Sequence, residues 1–312
     1  MDVLSDAIAV MRTGVPHSSR TVKSAPWGMR FASSDGAGFH VVLQGSCWLL
    51  PPDEGEPVRL APGDVVFLAH GRGHGLADDP ATPLVDVVES GAGDGTWVLS
   101  EDVPDGSGPT TLMLCGAYRL NRARAHPLLT GLPDVVHLPA RIGAHAELRA
   151  AVELLGGELE SPGPGSDAVV PALLETLLLY ILRAWLRDHA EHDGTGWAAA
   201  LADPAVARAL QAIHADPAHP WTVEALGARS GLSRAAFARR FTTVVGQPPL
   251  AYLTWWRMAL AGRLLAAGDA PLRVIASRAG YSSEFAFAKA FKREFGVAPG
   301  GYRRERGPAA RV

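Results

Sequence analysis

The 312 residues suffice for two domains with separate cores, and a composition 47% hydrophobic and 20% charged excludes disorder on the scale of a domain. The formal net charge of -3 conceals a split: residues 197–312 carry 16 Lys and Arg against 7 Asp and Glu, a net of +9, which leaves -12 for residues 1–196. A basic C-terminal third on an acidic chain points to a polyanion partner at one end only, because neutralised phosphates release counterions.

The chain opens on "MDVLSDAIAVMRTG", which has an acid where an export signal needs a base, so a cytoplasmic protein is expected. Residues 20–120 then hold short strand-like runs such as "FHVVLQG", "CWLLP", "PVRL" and "DVVFLAHG" between Gly and Pro turns, the pattern of a small antiparallel barrel. Four side chains in this region are the candidates for sensing: His40, His74, Cys47 and Cys115. Imidazole and thiolate suit zinc or another borderline metal, and the bland alternative is packing, since a buried Cys behaves as a small hydrophobe. An intramolecular disulfide has to join Cys47 to Cys115 and needs their Cα atoms within about 7 Å.

From "HPLLTGLPDVVHLP" through Asp188 the chain is expected to turn helical. The Leu-rich stretch 169–187 is apolar almost all round yet includes Glu175 and Arg183, which makes it a buried or interfacial helix rather than a membrane span. Its cover is the barrel, a partner subunit or both. The polar "RDHAEHDGTGW" ends a sensor and dimerisation region at about residue 190 and supplies a linker over 191–196.

Residues 197–305 contain one sentence written twice. "GLSRAAFARRFTTVVGQPPLAYL" and "GYSSEFAFAKAFKREFGVAPGGYR" each run Gly, Ser, a Phe pair four apart, Gly, Pro and Tyr, with one extra residue after the serine of the second copy. In copy one Thr222 caps a first helix, Gly231 ends it, and Ser233 caps a second; in copy two Pro271 opens, Gly280 turns and Ser282 caps. This is helix-turn-helix grammar. The Phe pairs Phe237/Phe241 and Phe287/Phe291 must face inward, which turns Arg234, Ala235, Ala238 and Arg239 outward in copy one. The same geometry exposes Ser283, Glu284, Phe285, Ala288 and Lys289 in copy two. Residues early on such helices reach base edges, whereas Arg240, Lys292, Arg293 and Arg303 are expected on phosphates. Between the copies "PLAYLTWWRMALAGRLLAAG" reads as a helical strut, with Trp255 and Trp256 as core packing. The remaining residues, 306–312, form a basic tail.

The stretch "IASRAGYSSEFAFAKAFKREFGVAPGGYR" resembles the DNA-binding domain of AraC-type transcription regulators. That resemblance implies base reading by Arg239 and its neighbours and by Glu284, Phe285 and Lys289, dimerisation through the Leu-rich region, and RNA polymerase as a further partner. "LAPGDVVFLAHGRGHGL", with Gly63, Gly71 and His74, resembles the second motif of the cupin barrel; the upstream His-x-His and Glu of metal-binding cupins are reduced to His40. "LMLCGAYRL" and "MDVLSDAI" look like the cupin-bearing AraC-type subgroup that includes reactive-oxidant sensors, in which a cysteine near the place of Cys115 can be redox-active. The expectation is therefore an α+β chain: a cupin-like barrel that senses a small molecule or an oxidant, and an all-α double helix-turn-helix domain that binds double-stranded DNA as a homodimer. No catalysis and no required cofactor are expected. The rivals are a metal-dependent cupin enzyme with a basic helical appendage and a nucleoid-type binder that ignores sequence.

Overall fold

The computed structural model describes residues 2–89, 97–100, 106–120, 126–189 and 195–306; most of the expected linker 191–196 and nearly all of the 306–312 tail lie outside them. The chain divides into two compact units, residues 11–188 and residues 189–312 together with the first ten. The division thus departs from the expected 1–190 boundary at the N-terminus.

The first unit is built on two sheets. One sheet holds, in order, β1 (His17–Ser24), β10 (Thr110–Arg119), β3 (Gly36–Gln44), β6 (Val65–Leu68) and β11 (Val136–Leu138). The other holds β5 (Val58–Leu60), β4 (Cys47–Leu50), β7 (His74–Ala77), β2 (Gly28–Phe31), β8 (Val85–Glu89) and β9 (Trp97–Leu99). Neighbouring strands are antiparallel except β2 and β8, which run parallel. Alternation sends Cys47 and Leu49 of β4 inward, where they join Trp27, Met29, Leu60 and Met113 in one apolar core. All four residues of β6 are buried, as expected of a short continuous apolar run.

Of the opening stretch 126–139, where helix was expected to begin, only α2 (Pro127–Thr130) is helical. Val136–Leu138 instead extends the sheet along β6, because Pro133 and Pro139 bracket the run and its alternation turns Val136 and Leu138 inward with His137 between them. Helices α3 (Ala146–Glu160) and α4 (Ser166–His189) follow. By length and composition α4 could span a membrane, yet Leu174, Leu177, Leu178, Ile181 and Leu182 are buried in this unit. Tyr118 of β10 donates its hydroxyl hydrogen to the Leu174 carbonyl at 2.8 Å, and Arg12 pairs with Glu175. The barrel itself therefore covers part of α4; Leu154 and Val169 remain exposed.

The second unit is helical, with α5 (Gly196–Ala202) and α6 (Pro204–Ala215) ahead of the repeat. The first ten residues belong here through α1 (Val3–Met11), whose start Asp2 caps by accepting the Leu4 and Ser5 amides at 3.0 and 3.1 Å. Asp6 of α1 lies 3.2 Å from Nδ1 of the buried His214 on α6, and His214 Nε2 lies 2.7 Å from the Tyr252 hydroxyl. The His214 ring stacks on Trp256 with centroids 3.9 Å apart, so Trp256 is core as expected.

Candidate nucleic-acid interface and barrel interior

Each copy of the repeat folds into a first helix, a tight turn and a capped second helix. These are α7 (Val223–Arg229) with α8 (Arg234–Val245), and α10 (Leu272–Arg278) with α11 (Glu284–Phe295). The turns close alike: the Leu232 amide donates to Gly227 O and the Tyr281 amide to Ala276 O, both at 2.9 Å. Gly231 and Gly280 adopt φ of 73° and 75°, and a Cβ on Gly280 would stand 2.8 Å from the Arg257 guanidinium, which is itself held by Pro217 and His219 carbonyls.

Thr222 caps α7 and Ser233 caps α8 as expected. The cap of α11 is Ser283, whose hydroxyl accepts from the Ala286 amide at 3.4 Å, and not Ser282. Ser282 is the extra residue of a turn one longer than in copy one. The spacing from cap to first buried Phe is then four in both copies, Ser233 to Phe237 and Ser283 to Phe287. Pro271 likewise sits at the N-cap of α10, one position before the first turn.

The Phe pairs are buried, with centroids 5.5 Å apart in copy one and 5.7 Å in copy two. Each unit ends on a proline-started helix, α9 (Pro249–Ala267) or α12 (Pro299–Arg306), whose Tyr252 or Tyr302 packs back on Phe241 or Phe291. The opposite faces are left to solvent. Arg234, Ala235 and Arg239 are exposed on α8 with Ala238 half-buried; Glu284, Phe285 and Lys289 are exposed on α11 with Ala288 half-buried, and Lys292 and Arg293 lie further along it.

Two expected phosphate contacts are differently employed. Arg240 pairs with Asp203, the N-cap of α6, which holds the Asp203 carboxyl below its ordinary range along with amide hydrogen bonds and against a larger opposing effect of burial. Arg303 is half-buried and donates to the Ala270 carbonyl at 2.6 Å. Both cations fasten helices. Neither partner, 37 and 33 residues away, is visible from local sequence.

Inside the barrel His40 and His74 meet, Nε2 to Nε2 at 2.8 Å, and Phe31 stacks on His74 with ring centroids 4.8 Å apart. His74 Nδ1 lies 3.2 Å from the Arg72 carbonyl, which can only accept; the neutral tautomers that satisfy both contacts put the shared hydrogen on His40 Nε2. That leaves His40 Nδ1 buried with no hydrogen-bond partner among the described residues. Cys115 lies opposite His40 in the β10–β3 register, while Cys47, on the other sheet, places Sγ 4.0 Å from Met113 Sδ. Both thiols are free, and burial pushes each up to about 12. Among the described residues no three His, Cys, Asp or Glu side chains converge to hold a metal, so the four sensor candidates do not assemble into the ligand set considered from sequence.

Burial lowers the His74 pKa to about 4 and holds His40 well below the ordinary value, with His74 a secondary cause for His40. The unfolded imidazoles take up protons near 6.5 that the folded pair refuses, so the barrel should lose stability as pH falls from about 6.5 toward 4. Thermal unfolding from pH 7.5 to 4 should show this slope, and a His74→Phe variant should flatten it; equal slopes in both proteins would remove the pair as its cause.

Two capped helix-turn-helix units joined by one long helix, with basic outer faces, define a duplex-binding regulator module. The chain matches a family model described as Cupin over residues 2–187 and one described as Helix-turn-helix domain over residues 226–305. It is 38% identical over 307 residues to a putative AraC-like transcription regulator of Streptomyces lividans, across 97% of this chain and 98% of that protein. It is 33% identical over 268 residues to the RCS-specific HTH-type transcriptional activator RclR of Escherichia coli strain K12, across 85% and 83%. The DNA-binding domain of AdpA, solved in complex with a target DNA, is similar at 34% identity over 33% of this chain and 91% of that chain, with a TM-score of 0.31. The chain belongs to the AraC family and is a DNA-binding transcription regulator with an N-terminal cupin domain.

Proposed function

We propose that α8 and α11 enter successive major grooves of one duplex, with Arg234 and Arg239 on base edges and Lys292 and Arg293 on phosphates. The supporting observation is the pair of capped second helices whose buried Phe faces leave these side chains in solvent. The 19 residues of α9 span about 28 Å, close to the roughly 34 Å groove repeat. Footprinting of the full-length protein on genomic fragments tests this. Arg239→Ala should cost about 1–3 kcal/mol and relax preference at one position, while Arg293→Ala should weaken all sequences alike and lower the salt slope by about one. Protection that is indifferent to both changes would overturn the assignment.

The cupin unit is the receiver of the signal in this reading, and the regulator acts in the cytoplasm without turnover as a homodimer. The exposed Leu154 and Val169 on α3 and α4 favour a second copy as partner. The buried His40–His74 pair with its unsatisfied Nδ1 favours a polar small molecule as the signal. Cys47 lies in the apolar core and the half-buried Cys115 packs against it, with both thiols raised by burial, so we read them as packing residues and peroxide should leave operator affinity unchanged. A peroxide response abolished by Cys115→Ser would restore the redox reading.

A further inference from the structure

The two recognition helices present opposite charge at the first position after the cap. Counting from the caps Ser233 and Ser283, Arg234 corresponds to Glu284, Ala235 to Phe285 and Arg239 to Lys289. Glu284 at the first helical position lacks the fourth-residue cation that steadies an exposed helical acid, since Ala288 stands there, and it is too early to close a capping box. Phe285 is 80% exposed, the one aromatic among the large exposed hydrophobic residues described. The fold buries the rings that it needs at Phe287 and Phe291 and leaves this one in water. An isolated phenyl on a basic helix face gains from a partner that removes it from water.

We infer that copy two selects a cytosine next to a thymine, whereas copy one selects guanine. This rests on the proposed placement of α11 in the major groove. A carboxylate there lies in the field of the phosphates and is favourable only where it finds a donor. Cytosine offers its N4 amino group; guanine presents two acceptors and thymine one, which repel it, and adenine sets an acceptor beside its donor. Phe285 adds apolar contact with the thymine 5-methyl group, a contact that Ala235 makes only with a single methyl. Arg234 or Arg239 in copy one matches the paired acceptors of guanine. The operator read by one chain is therefore chemically asymmetric.

Selection from randomised duplexes with the full-length protein tests this. Wild type should enrich a segment with a cytosine beside a thymine at one groove repeat from a guanine-containing segment. Glu284→Gln should shift the cytosine position toward adenine, whose N6 and N7 a carboxamide pairs, by about tenfold. Phe285→Ala should lose most of the thymine preference and nothing else, and replacing that thymine with deoxyuridine, which lacks the methyl, should weaken wild type by several-fold and Phe285→Ala far less. Both residues are exposed, so matching melting curves will separate recognition from folding. If both variants enrich the same sequences as wild type, the inference fails while the groove placement stands. If wild type enriches nothing over the random pool, the placement fails and this inference with it.

Discussion

Phe291→Ala is expected to cost about 3–5 kcal/mol, the usual range for emptying a buried phenyl site. The ring is fully buried, and it sits among three others: Phe287 with centroids 5.7 Å away, Phe295 stacked at 4.1 Å, and Tyr302 edge-on at 5.3 Å. Rigid rings cannot flow into the space left behind, so little of the cavity will collapse. The loss falls on copy two as a whole, because the same ring seats α11 against α12. Urea unfolding followed at the C-terminal unit should show the shift. Phe285→Ala, two residues past the cap and 80% exposed, should stay within about 0.5 kcal/mol of wild type. A cost below 1 kcal/mol for Phe291→Ala would mean that the Phe pair does not hold the unit together.

The repeat was legible because its signals are local. A cap, a positive-φ glycine and two rings four residues apart are all written within a dozen positions, and each has one physical reading. Two adjoining serines draw the expected cap of α11 one residue early, to Ser282; the distance from cap to first buried Phe, four in copy one, identifies Ser283. Non-local employment was not legible. Arg240 and Arg303 look like phosphate ligands until Asp203 and the Ala270 carbonyl arrive from elsewhere in the chain. The barrel shows the same limit: the motif around His74 and the isolated His40 were both visible, and their shared hydrogen bond across 34 residues was not. Short strands fare worst, as β11 shows, since three residues between prolines carry too little pattern to outweigh a helical neighbourhood.

The place of the first ten residues, in the C-terminal unit, is the least readable feature of the sequence. The opening acid Asp2 reads from sequence only as an argument against an export signal and Asp6 carries no reading at all, yet Asp2 caps α1 and Asp6 reaches His214. The carboxylate of Asp6 can only accept, so His214 Nδ1 donates to it and Nε2 accepts from Tyr252, whose hydroxyl is buried. Burial lowers the His214 pKa, against the opposing pull of Asp6 and Asp2, so the folded ring is held neutral at physiological pH and the chain of hydrogen bonds is complete. His214→Leu would remove the donor to Asp6 and the acceptor of the Tyr252 hydroxyl hydrogen, and empty the stack on Trp256. Losing two buried hydrogen bonds and a ring stack together should cost the unit about 3–5 kcal/mol. Asp6→Asn keeps an acceptor oxygen and should cost about 1 kcal/mol or less. Hydrogen exchange should then show α1 opening well before α8 in His214→Leu, and close to it in wild type. Unchanged protection of α1 in His214→Leu would mean that the first ten residues are held by something other than this buried relay.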